Sequence, residues 1–162
     1  MTGSLIRYVG LLLLIAVTLL CSSCSFINSF IVANASRATL TVSYRVKPPN
    51  LPGAPIRLSD RAPETLPVSQ LDAQVPWQPL ASSRYKIDAD NRIVTLTLNP
   101  DEALLLARCR PANDGSTGDC EPDAFDVAEI GLVGANGEIT LAGEQAHKTF
   151  VRNKNTYTLT YY

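Results

Sequence analysis

An all-β fold is predicted by three observations. Several segments alternate apolar and polar residues with a period of two, clusters of turn-forming residues separate them, and no stretch carries a convincing amphipathic helix. The 162 residues suffice for one domain of ordinary size. With 46% apolar and 18% charged residues, the composition suits a packed globule rather than a disordered chain. A net charge of −1 supplies no cationic surplus to neutralise phosphates, so nucleic acid is not expected as a partner.

The first candidate strand is 30–34. Residues 39–46 (TLTVSYRV) follow, with Leu40, Val42, Tyr44 and Val46 on one face and Thr39, Thr41, Ser43 and Arg45 on the other. That is the pattern of a half-buried strand. The two are expected to pair as a hairpin through residues 35–38. Residues 48–79 hold eight of the eleven prolines. Proline lacks an N–H donor and fixes φ, so this segment is expected to be irregular, with at most a short edge strand near 56–58 or a polyproline-like arm. Trp77, the only tryptophan, lies at its end, either as a core anchor that pins the arm or as an exposed binding platform.

Strands are expected next at 83–87 and 92–98, with turns at 88–91 and 99–102. In the second, Val94, Leu96 and Leu98 oppose Ile93, Thr95 and Thr97. Residues 103–109 (ALLLARC) are assigned to a strand by their place between turn signals. Residues 125–135 are apolar on both faces in their centre, as in a buried strand. Asn136-Gly137 is the strongest hairpin signal, because both residues tolerate the positive φ of a type I′ turn, and 138–141 then returns. A last hairpin joins 147–151 to 156–161, where Tyr157, Leu159 and Tyr161 share one face. About seven to nine antiparallel strands of this kind point to a β-sandwich of immunoglobulin-like type over residues 29–162, with an open barrel as the alternative.

Ahead of this domain, Arg7 and the amino terminus supply positive charge, and residues 9–20 (VGLLLLIAVTLL) run for twelve residues without a charge. A bilayer span needs roughly twenty apolar residues, whereas a signal-peptide core needs only about 7 to 15. Ser22, Ser23 and Cys24 follow. Small residues before a cysteine, directly after such a core, resemble the lipobox of bacterial lipoproteins, with Cys21 where that class usually has Leu or Val. The resemblance covers the first 24 residues. It implies a signal peptide at 1–23 that is cut away, a lipid (palmitate among its acyl chains) on Cys24, a tether at 24–28, and a domain held on a membrane of the cell envelope outside the cytoplasm. Sorted lipoproteins of the inner membrane carry Asp after the lipidated cysteine. Ser25 stands there in this chain, which leans the reading toward the outer membrane. An uncleaved anchor helix over 5–24 is the alternative.

Cleavage removes Cys21 and lipidation uses Cys24, leaving Cys109 and Cys120 as an even pair in an oxidising compartment, where a disulfide is expected. The bridge would close the loop RPANDGSTGD and contribute about 2 to 3 kcal/mol through chain entropy. Acidic residues cluster around it. Asp114, Asp119 and Asp123 are the ligand-binding candidates together with Trp77, and calcium is the chemistry such oxygens suit. The spacing of a calcium-binding helix–loop–helix is missing, so no metal site is assigned.

No catalytic residue and no cofactor are assigned. His147, the only histidine, is expected in a solvated strand, and no nucleophile elbow is present. Asp88 with Asp90, and Asp101 with Glu102, sit in turn sequences, where acids bond their own backbone rather than flank a glycosidic bond. Phe26, Ile27, Phe30 and Ile31 are read as part of a first core strand, with membrane or partner contact as the alternative. Tyr157, Tyr161 and Tyr162 offer aromatic faces, half of which a sandwich would place in its core. The expected function is a non-enzymatic binding or assembly module, anchored to the membrane by its lipid and partnered by another envelope protein. A ligand- or calcium-binding module on 109–126 is the second reading, and a hydrolase of envelope polymers the third.

Overall fold

The computed structural model describes residues 27–48, 62–73, 75–109 and 126–162. The leader, Cys24, the expected edge strand at 56–58 and the loop that carries Asp114, Asp119, Cys120 and Asp123 lie outside the described residues. Eleven strands, one short α-helix and two single-turn 3-10 helices (Val68–Gln70 and Ser82–Arg84) are formed by the described residues. The strands and the α-helix are numbered in chain order. They are β1 (Asn28–Asn34), β2 (Leu40–Val46), β3 (Glu64–Pro67), β4 (Gln78–Pro79), β5 (Tyr85–Asp88), β6 (Ile93–Leu98), β7 (Glu102–Cys109), β8 (Val127–Gly134), β9 (Gly137–Ala142), α1 (Gly143–Thr149), β10 (Val151–Asn153) and β11 (Thr156–Tyr161).

The strands form two sheets. One has the order β10-β11-β1-β7-β3-β4 and the other β5-β6-β2-β8-β9. Period-two alternation decides which side chains meet between them. Val94, Leu96 and Leu98 of β6, Leu40 and Val42 of β2, and Ile130 and Leu132 of β8 face Phe30 and Val32 of β1, Leu104 of β7, and Tyr157, Leu159 and Tyr161 of β11. These residues belong to one buried cluster, so the molecule is an all-β sandwich with a single main core.

The expected hairpin between the first two strands does not form. β1 pairs with β7 and, in parallel, with β11, whereas β2 pairs with β6 and β8 in the opposite sheet. Residues 35–39 are therefore a corner that changes sheets. Asn34 explains why. Its side chain is fully buried, and its Nδ2 donates to the carbonyls of Ala38 at 2.9 Å and Asn99 at 3.0 Å. Its Oδ1 accepts from the Ser36 N–H at 3.1 Å. One amide thus ties the β1–β2 corner to the β6–β7 corner, and a hairpin would leave it unsatisfied in the core.

Four further expectations are corrected. The strand count exceeds the predicted range, and the β1–β11 pair is parallel where an antiparallel sheet was expected. The excess comes partly from the proline-rich segment, which supplies β3 and β4 at one border of the six-stranded sheet. Pro67 and Pro79 stand at the ends of these strands, where a missing donor costs little. At the other hairpin, Ala135 and Asn136 form the turn and Gly137 opens β9 at φ 113°, so only the glycine uses the left-handed region. Finally, residues 143–149 are helical, so the strand expected at 147–151 begins only at Val151. Gly143 at φ 57° breaks the strand, Glu144 and Lys148 pair four residues apart at 2.8 Å, and Ala146 is buried beneath the helix.

The chain shuttles between two poles. β1 starts at the same pole where β2, β7 and β9 end and where β6, β8 and β11 start, as their registers require. At this first pole the Ser29 N–H donates to the Asn155 carbonyl at 2.9 Å and the Lys47 N–H to the Asp126 carbonyl at 2.7 Å. At the opposite pole the Ala35 N–H donates to the Tyr161 carbonyl at 2.8 Å and the Asp101 N–H to the Asn34 carbonyl at 3.0 Å. At both poles these backbone hydrogen bonds prolong the ladders of each sheet into the connections that follow, so the backbone groups there are paired.

Candidate functional site

Of the predicted site residues, Cys109 and Trp77 are described. Cys109 is buried at the end of β7, at the first pole, opposite Asn28 in the strand register. Its expected partner Cys120 lies outside the described residues, as do Cys24, Asp114, Asp119 and Asp123. Trp77 is not brought to the first pole. It is half-buried against Ile31, Ala33 and Ala103 on the outer face of the six-stranded sheet, together with Val68 and Leu71. The segment between β3 and β4 thus folds back as a cover over that face, and the indole anchors it. The indole packs in a small second cluster and not in the main core, where the anchor reading places it. Ile31 is buried under this cover and Phe30 in the main core, whereas Ile27 is half-exposed.

The side chains considered for chemistry are dispersed. His147 lies on α1 rather than on a strand, with its ring 5.5 Å from Phe30 and 6.1 Å from Tyr157. Phe30 also stacks on Tyr157 at 4.6 Å and meets the edge of Phe150 at 5.3 Å, so the imidazole belongs to an aromatic plug under the helix. Asp88 accepts from the Asn91 backbone N–H at 3.1 Å and from its side chain at 2.7 Å. These bonds hold the Asp88 carboxyl below the usual carboxylate range and close the β5–β6 turn. Burial pushes the Tyr44 phenol up to about 12, so it stays neutral at physiological pH. Among the described residues, no three His, Cys, Asp or Glu side chains come together in a way that would hold a metal ion.

Glu102 keeps the backbone contact expected of a turn acid and adds a second role. It begins β7 and receives both guanidinium nitrogens of Arg84, with Arg84 Nη1 donating to Oε1 at 2.9 Å and Nη2 donating to Oε2. The Asn99 N–H also donates to Oε2, at 2.8 Å, and Arg84 Nη2 donates to the Thr97 carbonyl at 2.7 Å. Partial burial alone would raise the carboxyl, but the Arg84 hydrogen bonds, the Asn99 amide and the Arg84 charge outweigh it and hold Glu102 below its ordinary range. The bidentate pair joins the β5–β6 border of one sheet to β7 of the other. A shallow groove runs beside it, lined by Ser83, Lys86, Thr95, Thr97 and Asn99. Sequence reasoning missed this clamp because Arg84 and Glu102 are eighteen residues apart and neither carries a motif.

The second site missed by sequence reasoning is an edge. β9 ends the five-stranded sheet, and Ile139 on its core-facing side is 43% exposed. The signal was present in the sequence as the hairpin return GEITLA, which has no proline, lysine or arginine to guard an unpaired strand.

No helix among the described residues is long and apolar enough to cross a membrane. No protein-family model, no curated protein and no solved structure matches the chain.

Proposed function

We propose that this chain is a lipid-anchored protein of the bacterial cell envelope whose β-sandwich is a non-enzymatic binding or assembly module for another envelope protein. The observation that carries the reading is the sequence order at the N-terminus: a charged start, a twelve-residue apolar core, Ser22-Ser23-Cys24, and then β1 from Asn28. A lipid on Cys24 leaves only a short tether before the first core strand, which holds the first pole against the membrane and turns the opposite pole outward. The uncharged core that follows Arg7 is read as the helix of a signal peptide, and Ser25 favours the outer membrane. In the same oxidising setting Cys109 and Cys120 are assigned to a disulfide across the loop at the first pole. We read the sandwich as immunoglobulin-like in type, supported by corners at β1–β2 and β6–β7 that pass between sheets. Trp77 on an outer face is a departure from the core tryptophan typical of that type.

The test is intact mass and membrane fractionation of the chain expressed in bacteria, comparing wild type with Cys24→Ala. The expected result is loss of residues 1–23 and gain of a lipid mass in the wild type, with both absent in the variant. A full-length, unlipidated product that partitions to membrane overturns the lipid anchor in favour of an apolar helix.

A further inference from the structure

We propose that the edge of β9, which no further strand among the described residues pairs, is a self-pairing surface, and that its partner is a second copy of this chain joined strand to strand about a two-fold axis at Thr140. Four strands border the two sheets, and three of them are guarded. β4 is two residues long and ends in Pro79, β10 is three residues long and carries Arg152, and β5 carries Lys86. Shortness, proline and charged side chains, lysine above all, are the devices that keep edges from pairing. β9 has six residues, no proline and no cationic side chain, and its single charge is Glu138.

The register of the β8–β9 hairpin fixes what the edge displays. Gly134 pairs with Gly137 across a two-residue turn, so that pair exchanges both backbone hydrogen bonds. Strand alternation then turns the backbone groups of Ile139 and Leu141 toward β8 and those of Glu138, Thr140 and Ala142 to the open side. An array of donors and acceptors at strand spacing is matched by another extended backbone and by little else.

The side chains select a second copy. With Thr140 opposite Thr140 of the other copy, the open-side backbone groups of each edge meet those of the other, Glu138 facing Ala142. On the core-facing side Ile139, 43% exposed, lies opposite Leu141 of the other copy at the closer, non-hydrogen-bonded spacing; Leu141 is already buried within its own copy, so the apolar surface newly covered there is that of Ile139. On the outer face the threonines meet as a favourable cross-strand pair. The lone acid of the strand lies four residues from its symmetry mate and faces an alanine, so no like charges oppose. The contact is isologous and closes at two copies. It requires no lipid anchor, so it stands or falls apart from the proposed function.

The experiment is sedimentation velocity on the full chain in detergent, with Ile139→Lys, Thr140→Cys and Val151→Cys alongside. Val151 is the control because it is 72% exposed on the guarded edge strand β10. The expected results are a wild-type dimer, a dissociation constant at least about tenfold weaker in Ile139→Lys with unchanged circular dichroism, and a covalent dimer that forms faster in Thr140→Cys than in Val151→Cys under mild oxidation. A chain that stays monomeric overturns the proposal. So does a dimer that a folded Ile139→Lys leaves as tight, or one in which Thr140→Cys cross-links no faster than Val151→Cys. Should Ile139→Lys fail to fold, the cross-linking comparison decides alone.

Discussion

Glu102 ties two sheets together with charge rather than with apolar surface, and that gives its contribution a pH signature. Its carboxylate accepts from Arg84 and from the Asn99 amide, and these bonds hold its pKa in the folded chain below the ordinary value. Such a group binds its proton less readily folded than unfolded, so its stabilisation is fully present above the ordinary carboxylate range and is lost as pH falls through the folded value. Arg84 and Glu102 keep partial contact with solvent, and screening there limits the pair to modest energies. Glu102→Gln is expected to lower stability by about 1 kcal/mol at neutral pH. Urea melts at pH 7 and pH 3 check this, because the gap between variant and wild type should shrink at the lower pH. A gap that is constant with pH would show that the carboxylate charge contributes nothing. Little at this scale was legible in the sequence. Glu102 follows Asn99-Pro100-Asp101 and has every local mark of a turn acid. Asn34 equally has the composition of a turn residue, and only the crossing of two corners turns its amide into a fully buried tie.

The strands that were legible are those whose two faces meet different environments. β6 and β11 alternate buried and half-buried residues along their whole length, and the sequence shows that alternation directly. α1 was not legible, since two turns with one buried residue give no helical period to detect, and the aromatic neighbours of His147 come from distant strands. The proline-rich segment was half legible. In its described part the prolines go with short elements alone, but they could not reveal that Val68, Leu71 and Trp77 lie over the outer face of a sheet. Among the described residues, the side chains packed on Ile31, Ala33 and Ala103 are those of Trp77, Val68 and Leu71, and the indole is the largest of them. Trp77→Ala is expected to cost about 2 kcal/mol, less than a fully buried tryptophan because the indole is half-exposed, and Trp77→Phe less than about 1 kcal/mol. Chemical denaturation measures both. An unchanged midpoint for Trp77→Ala would mean that the indole rests on the sheet without holding the segment there.

At the scale of the whole molecule, the consequence of shuttling strands is polarity. β1 runs from the first pole to the opposite one over seven residues, a separation of about 23 Å at the usual rise per strand residue. The Asp88–Asn91 turn belongs to the first pole, because β6 starts there beside the end of β2. The Ser36–Ala38 corner belongs to the opposite pole, because it follows the end of β1. If Cys24 carries the lipid, the four residues before β1 hold the first pole near the bilayer, and the two turns must differ in depth. The chain offers a simple optical test, since Trp77 is its only tryptophan and Trp77→Phe leaves a dark background. In that background Asp90→Trp and Arg37→Trp place one indole at each pole, on exposed turn positions where a large side chain is accommodated. Reconstituted into vesicles containing brominated lipid, the lipidated chain is expected to show strong quenching at position 90 and little at position 37. Equal quenching at both positions would lay the strands parallel to the membrane. The reverse order would remove the premise that the tether sets the orientation and leave the opposite pole as the face that meets the bilayer.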